Sequence, residues 1–200
     1  VFNDVLGKEI KVPLPRYTYE DAMNRFGSDK PDTRFEMEIQ DISDIVKTCE
    51  FSVFTSAIEN GGSVRAIVAK NGASVLTRKE IDKLTEHAKG IGAKGLAFVR
   101  WVDDAPACSF AKFMKEEELS AIYERLGAEK GDVILIVADK NSTVLSTLGA
   151  LRLKVAKQLD IIPEDQFNFL WITEFPFFEW NEETHHWDDM HHPFTMPMDE

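Results

Sequence analysis

The order of local patterns predicts an α+β fold. Period-two segments that read as strands alternate with amphipathic segments at helical spacing. Asn-Gly and Pro-rich stretches punctuate them, and the 200-residue chain is 44% apolar and 29% charged, the profile of a folded globular protein. That length suffices for one domain or two small ones.

Residues 1–7 read as a helix or its end. With no Met at the start and no tail after Glu200, both ends are expected to be cut from a longer chain. Pro13 and Pro15 hold residues 11–16 extended. Thr18 caps a short helix whose apolar face is Tyr19, Ala22, Met23 and Phe26, and Gly27 ends it. The polar stretch Ser28-Asp29-Lys30-Pro31-Asp32 follows, broken by its proline. Phe35, Met37 and Ile39 alternate as a strand, and residues 42–46 form one helical turn. Residues 50–58 alternate again. With the turn Glu59-Asn60-Gly61-Gly62 and a strand over 64–69 they predict a hairpin. Thr77-Arg78-Lys79-Glu80 is a full capping box, opening a helix with Ile81, Leu84 and Ala88 on one face. Residues 96–102 and 107–113 are the next strand and its partner. Glu116–Leu126 is an amphipathic helix, with Leu119, Ile122, Tyr123 and Leu126 on its stripe and Gly127 as its stop. The order strand-strand-helix-strand-strand-helix predicts a two-layer unit over residues 35–140, with helices on one face.

After that unit's second helix, residues 133–138 are a continuous apolar run, a strand buried on both faces. Asn141 or Ser142 caps a long helix with Val144, Leu148, Leu151, Val155 and Leu159 as its stripe. Arg152 and Lys154 are expected to snorkel from its polar face. Residues 169–175 form a strand that Pro176 bends. Residues 177–180 and 185–190, around the polar turn 181–184, predict a hairpin whose second arm delivers His191 and His192.

Composition excludes several functions. No apolar run approaches the roughly 20 residues of a membrane helix, and no charged segment followed by an apolar one marks a secretory leader. Cys49 and Cys108 have no partner at metal spacing and read as buried thiols of a reducing compartment, so a cytoplasmic protein with no membrane contact is expected. A net charge of −12 argues against gripping a phosphate backbone over a broad face. Gly61-Gly62 precedes no helix and is no phosphate loop. No nucleophile–base arrangement stands out.

The densest chemistry is His185-His186-Trp187-Asp188-Asp189-Met190-His191-His192, and three readings stay open. Imidazole and carboxylate suit a metal, although adjacent strand residues point to opposite faces and the spacing matches no tetrahedral signature. A polar surface turn accounts for His185 and His186. A binding pocket reached by His191 or His192 is the third: Pro193-Phe194-Thr195-Met196-Pro197 makes a rigid segment beyond them, and a histidine held there could donate to a carboxylate. For Lys30, between Asp29 and Asp32, local ion pairs in a turn are the simplest reading.

Three stretches carry a resemblance. Residues 15–35, from Pro15-Arg16-Tyr17-Thr18 through Gly27-Ser28-Asp29-Lys30-Pro31-Asp32-Thr33-Arg34-Phe35, resemble the segment after motif 2 of bacterial aspartyl-tRNA synthetases. Gly149-Ala150-Leu151-Arg152-Leu153-Lys154-Val155 is similar to the helix that re-enters the catalytic domain after its insertion. Residues 170–179 followed by Met190-His191-His192-Pro193-Phe194-Thr195 resemble the active-site hairpin. Shorter matches at residues 72–79, 92–97 and 111–113 keep the same order. The chain thus resembles an internal fragment of this class II family.

The resemblance implies segments 1–34 and 141–200 of the catalytic domain, an antiparallel sheet with helices, around a GAD insertion domain (ββαββα, DCoH-like) at 35–140. The whole enzyme would be an aspartate–tRNA ligase, using ATP and Mg²⁺ to activate L-aspartate and transfer it to tRNA(Asp), as a homodimer. His191 would line the aspartate pocket, with His192 second. The family carries Asp where this chain has Glu174, which keeps the charge. Motifs 1, 2 and 3 and their arginines lie outside the chain. The fragment is therefore expected to hold no catalytic, ATP-binding or metal residue and no cofactor, to be monomeric, and to be inactive alone. The alternative is a GAD-domain binding module of a tRNA amidotransferase-like protein.

Overall fold

In the computed structural model, which describes residues 2–181 and 184–190, a flank of α1 (Phe2–Leu6), β1 (Arg16–Thr18) and α2 (Tyr19–Phe26) leads into a larger unit. Its elements are β2 (Gln40–Asp41), α3 (Ser43–Val46), α4 (Ser52–Glu59), β3 (Ser63–Ala69), α5 (Arg78–Ile91), β4 (Ala97–Arg100), β5 (Ala107–Cys108), α6 (Glu116–Leu126), β6 (Val133–Asp139) and α7 (Asn141–Gln158). A second flank holds β7 (Trp171–Thr173), β8 (Phe178–Asn181) and β9 (His186–Asp189).

The five strands of the central unit form one antiparallel sheet in the order β2-β3-β6-β4-β5. The last strand in sequence lies in the middle, paired with β3 from Ser63↔Asp139 to Ala69↔Val133 and with β4 from Ala97↔Ile136 to Arg100↔Val133. The alternation of side chains along a strand divides the core in two. Val133, Leu135 and Val137 join Ile67, Ala69 and Phe98 on one face. Ile134, Ile136 and Ala138 join Val64, Ala66, Val68 and Val99 on the other. The first face is covered by α5 and α7, through Ile81, Leu84, Ala88, Val144, Leu148, Leu151 and Val155. The second is covered by α3, α4 and α6, through Val46, Phe54, Ile122 and Leu126.

The expectation of helices on one face is thereby corrected: the sheet is covered on both. The two expected helices, α5 and α6, lie on opposite faces, and residues 50–58, expected as a strand, add a further helix to the second face. Phe51, Val53 and Ala57 fit spacing 2, while Phe51, Phe54, Ala57 and Ile58 fit spacing 3.6, and a short run cannot arbitrate between the two. Packing does: as helix α4, Phe54 is 1% exposed and its ring meets Phe51 at 4.8 Å and Phe110 at 5.2 Å between centroids. The expected hairpin of residues 50–69 is therefore a helix–turn–strand.

Two other strands shrink. Phe35, Met37 and Ile39 are buried as their alternation implies, but Met37 has φ 95° and breaks the extended backbone, so only Gln40–Asp41 pairs. At residues 107–113 the partner strand stops after Cys108, and residues 111–113 make a 3₁₀ turn. Ser109 ties that bend to β4, its N–H donating to the Phe98 carbonyl at 3.0 Å and its Oγ accepting the Phe98 N–H at 3.0 Å.

The caps follow the sequence closely. Thr18 Oγ1 accepts the Asp21 N–H at 3.0 Å and Gly27 closes α2 at φ 66°. Gly127 closes α6 at φ 56°, and the Lys115 N–H donates to Glu118 Oε2 at 2.9 Å. At α5, Thr77 Oγ1 accepts the Glu80 N–H at 3.4 Å, while the Glu80 carboxylate turns to Lys83 Nζ at 2.7 Å. Lys140, not Asn141 or Ser142, stands at the cap of α7 and makes no side-chain cap bond.

The first flank is bolted to the sheet unit by α2 crossing α7. A Cβ on Gly149 would stand 2.7 Å from the Gly27 carbonyl oxygen and 2.9 Å from that of Phe26, so the crossing needs hydrogen there. Arg152 lies beside it, 1% exposed, which corrects the expectation that it snorkels. Its Nε donates to the Met37 carbonyl at 3.0 Å, and its Nη2 to those of Asp32 and Phe35 at 2.7 and 3.1 Å. Its guanidinium sits 4.1 Å from the Phe35 ring centroid and 5.0 Å from that of Phe26. Burial pushes its pKa down to about 10, opposed by Asp32 and Glu38, so it is charged at neutral pH.

Candidate functional site

The histidine-bearing hairpin is built on a parallel pair. Trp171, Ile172 and Thr173 of β7 lie opposite Arg16, Tyr17 and Thr18 of β1. Parallel partners need a long crossover, and here the whole sheet unit lies between them. Where an antiparallel flanking sheet was expected, the described residues show this parallel pair together with the antiparallel hairpin. Glu174 then takes φ 58°, turning the chain into Phe175-Pro176 as the proline required.

The hairpin itself is as read from the sequence. β8 and β9 pair from Phe178↔Asp189 to Asn181↔His186, and the Met190 N–H donates to the Phe177 carbonyl at 3.0 Å. The ladder is thus intact up to the residue before His191. His191 and His192 themselves lie outside the described residues. At the other end, the Thr184 N–H donates to Asn181 Oδ1 at 3.1 Å, the His185 N–H donates to the Asn181 carbonyl at 2.9 Å, and Asn181 Nδ2 donates to Asp188 Oδ2 at 2.7 Å. His185 has φ 53° in the turn, and both His185 and His186 are exposed. His185 occupies the surface turn and His186 opens β9. Among the described residues no group of three or more His, Cys, Asp or Glu is placed to hold a metal ion.

Around the base of the hairpin the surface is aromatic and acidic. Trp171, Phe175, Phe177, Phe178, Trp180 and Trp187 are all exposed. The Phe175 ring lies 5.2 Å from that of Tyr19 on α2. Burial, with Glu179 and Asp29 nearby, pushes the Tyr19 phenol above its ordinary value, so an acidic pair faces this ring. The Ser28-to-Asp32 stretch forms local bonds: Ser28 Oγ accepts the Lys30 N–H at 3.0 Å, and Lys30 Nζ stands 3.9 Å from Asp29. Asp32 takes both Nε and Nη2 of Arg34, at 2.9 and 2.7 Å, which holds its carboxyl below the usual range. Arg34 Nη1 reaches on to the Pro163 carbonyl at 3.2 Å, and Asn168 Nδ2 donates to that of Thr33 at 2.9 Å. These bonds draw the two flanks together.

Arg152 is the residue that pattern reading missed, although the signal was present. It lies four after Leu148 and three before Val155, inside the apolar stripe. Cys49 is buried and Cys108 half-buried; both are free, and burial pushes both thiols up. No described helix is long and apolar enough to cross a membrane.

Residues 54–148 match the GAD domain family. Over the whole chain, 54% of residues are identical to the Aspartate–tRNA(Asp/Asn) ligase of Bacillus cytotoxicus, 55% to the Aspartate–tRNA ligase of Clostridium acetobutylicum and 52% to that of Agathobacter rectalis. In each case the match covers 100% of this chain and only 33–34% of the relative. The chain therefore spans about a third of the length of these relatives.

Proposed function

Because this chain is 52–55% identical from end to end to aspartate–tRNA ligases, of which it spans about a third, we propose that the whole protein activates L-aspartate with ATP and Mg²⁺ and transfers it to tRNA(Asp). The observation that carries this reading is the end-to-end identity with the ligases. An amidotransferase-like module sharing only the GAD domain would match residues 54–148 and leave both flanks unmatched.

In this reading residues 1–34 and 141–200 are pieces of the catalytic domain, and 35–140 is the insertion. The chain's own contribution to the chemistry is a positioned histidine. His191 donates a hydrogen bond to the substrate carboxylate and His192 shapes the pocket beside it. The parallel pair β1–β7 and the hairpin ladder up to Met190 support that placement by fixing the register of the strand that precedes it. The arginines that would neutralise phosphate charge belong to the rest of the protein. The whole protein is a cytoplasmic homodimer, and the isolated 200-residue chain is a monomer that binds no cofactor.

Aspartate-dependent ATP–pyrophosphate exchange tests this. The whole protein should exchange and the 200-residue chain should not; exchange by the chain alone would overturn the division of labour. In the whole protein, His191→Ala should raise KM for aspartate by about tenfold to a hundredfold, the scale of one lost hydrogen bond to a charged group, with a smaller effect at His192→Ala. An unchanged KM would remove His191 from the pocket.

A further inference from the structure

The polar loop that follows α2 lies between α7 and the segment that leaves the sheet unit for β7. That exit segment, residues 159–170, holds neither helix nor strand. Among the described residues, 162–169 make no backbone–backbone hydrogen bond. Backbone groups outside regular structure turn to side chains and solvent, so the course of this segment depends on the side chains that grip it.

The grip comes from the loop. Arg152 on α7 fixes the loop from the sheet side, its Nη2 donating to the Asp32 carbonyl at 2.7 Å. The Asp32 carboxylate takes Nε and Nη2 of Arg34 as a fork, at 2.9 and 2.7 Å. A forked pair fixes the guanidinium plane, and the remaining nitrogen, Nη1, donates to the Pro163 carbonyl at 3.2 Å. Further along the exit segment, Asn168 Nδ2 donates to the Thr33 carbonyl at 2.9 Å. Gln166 Nε2 donates to Asn168 Oδ1 at 2.9 Å, which orients the amide for that contact. The parallel pair begins just beyond, where the Trp171 N–H donates to the Pro15 carbonyl at 2.9 Å.

A tight turn sets the register of a hairpin, but β1 and β7 are parallel and joined only through the whole sheet unit. The Arg34 and Asn168 bonds supply the constraint that a turn would give. Whatever sets β7 also sets the hairpin, because Phe177, which accepts the Met190 N–H, follows β7 closely. We propose that Arg34 and Asn168 are positioning residues for aspartate recognition: they clasp the exit segment and set where β7, and with it the hairpin leading to His191, stands against β1. The proposal rests on the ligase reading, in which that hairpin serves the aspartate pocket. Both residues act through the strand rather than on the substrate, so their loss should weaken aspartate binding and spare ATP.

Steady-state ATP–pyrophosphate exchange by the whole protein tests this. Arg34 is half-buried and Asn168 exposed, so substitution at either opens no core cavity. Arg34→Met and Asn168→Ala should each raise KM for aspartate by about tenfold, with kcat and KM for ATP within about twofold of wild type, the pattern of a displaced binding strand. Arg34→Lys keeps the charge beside Asp32 but has no fork to aim a further nitrogen at Pro163, so it should recover only part of the loss. In the same proteins, amide hydrogen exchange should be about tenfold faster at β7 and unchanged at β6. An unchanged KM for aspartate, an equal rise in KM for ATP, or unaltered exchange at β7 overturns the proposal. A wild-type whole protein without aspartate-dependent activity overturns the ligase reading and this proposal with it, whereas a competent wild type whose variants bind aspartate normally overturns this proposal alone.

Discussion

Arg152 shows what a single buried charge does in this chain. Its two nitrogens satisfy three backbone carbonyls of the loop between α2 and β2, and its flat face lies between two aromatic rings. Arg152→Ala leaves those acceptors unmet and opens a cavity; the sum is about 3–5 kcal/mol of lost stability, read by urea unfolding. Arg152→Lys offers one nitrogen where two are used and should recover less than half of that. The same loop carries an acid sensitivity. Hydrogen bonds from Arg34 hold Asp32 below its ordinary 3.8, and those from Arg25 hold Glu38 below 4.5. A depressed folded-state value means stability that is present above the unfolded value and lost as pH falls through the folded one. Unfolding midpoints should thus be level near neutrality and drop as pH falls below 4.5. Arg25→Met should flatten the part of that drop due to Glu38.

Among elements, the α2–α7 crossing is the joint between flank and sheet unit. Gly149 sits where a Cβ would meet two carbonyl oxygens inside 3.0 Å, and backbone cannot swing aside as a flexible side chain would. Gly149→Ala should cost about 2–3 kcal/mol by overpacking, although alanine favours the helix itself by about 1 kcal/mol. A rise in stability measured by thermal unfolding would show that the joint is looser than its geometry. Helix α4 teaches a second lesson. Its sequence suits a strand and a helix equally, and the buried aromatic group of Phe51, Phe54 and Phe110 selects the helix.

Across the whole molecule, burial is distributed unevenly. All seven residues of β6 are buried, while seven of the eight strand residues of β8 and β9 are exposed. A two-stranded hairpin is marginal alone. Native-state hydrogen exchange should therefore find the β6 amides protected to the global limit and the hairpin amides exchanging by local opening. Equal protection of both would mean that the hairpin is held by contacts other than its ladder. The six exposed aromatics around that hairpin form an apolar surface of the kind that interfaces cover. The chain spans a third of its relatives' length.

Local chemistry was legible from the sequence alone. The caps at Thr18, Gly27, Thr77 and Gly127, the helices at 78–91, 116–126 and 141–158, the central apolar strand and the hairpin over 178–189 all follow from turn residues and apolar period, because their causes lie within a few residues of their effects. The resemblance to the ligases came the same way, from ordered motifs. Only the tertiary structure decided that residues 50–58 are helical, that the sheet is covered on both faces, that β1 meets β7 in parallel, and that Arg152 is buried. Each depends on partners distant in sequence, and the free energy that settles it comes from packing and hydrogen bonds that no local pattern contains.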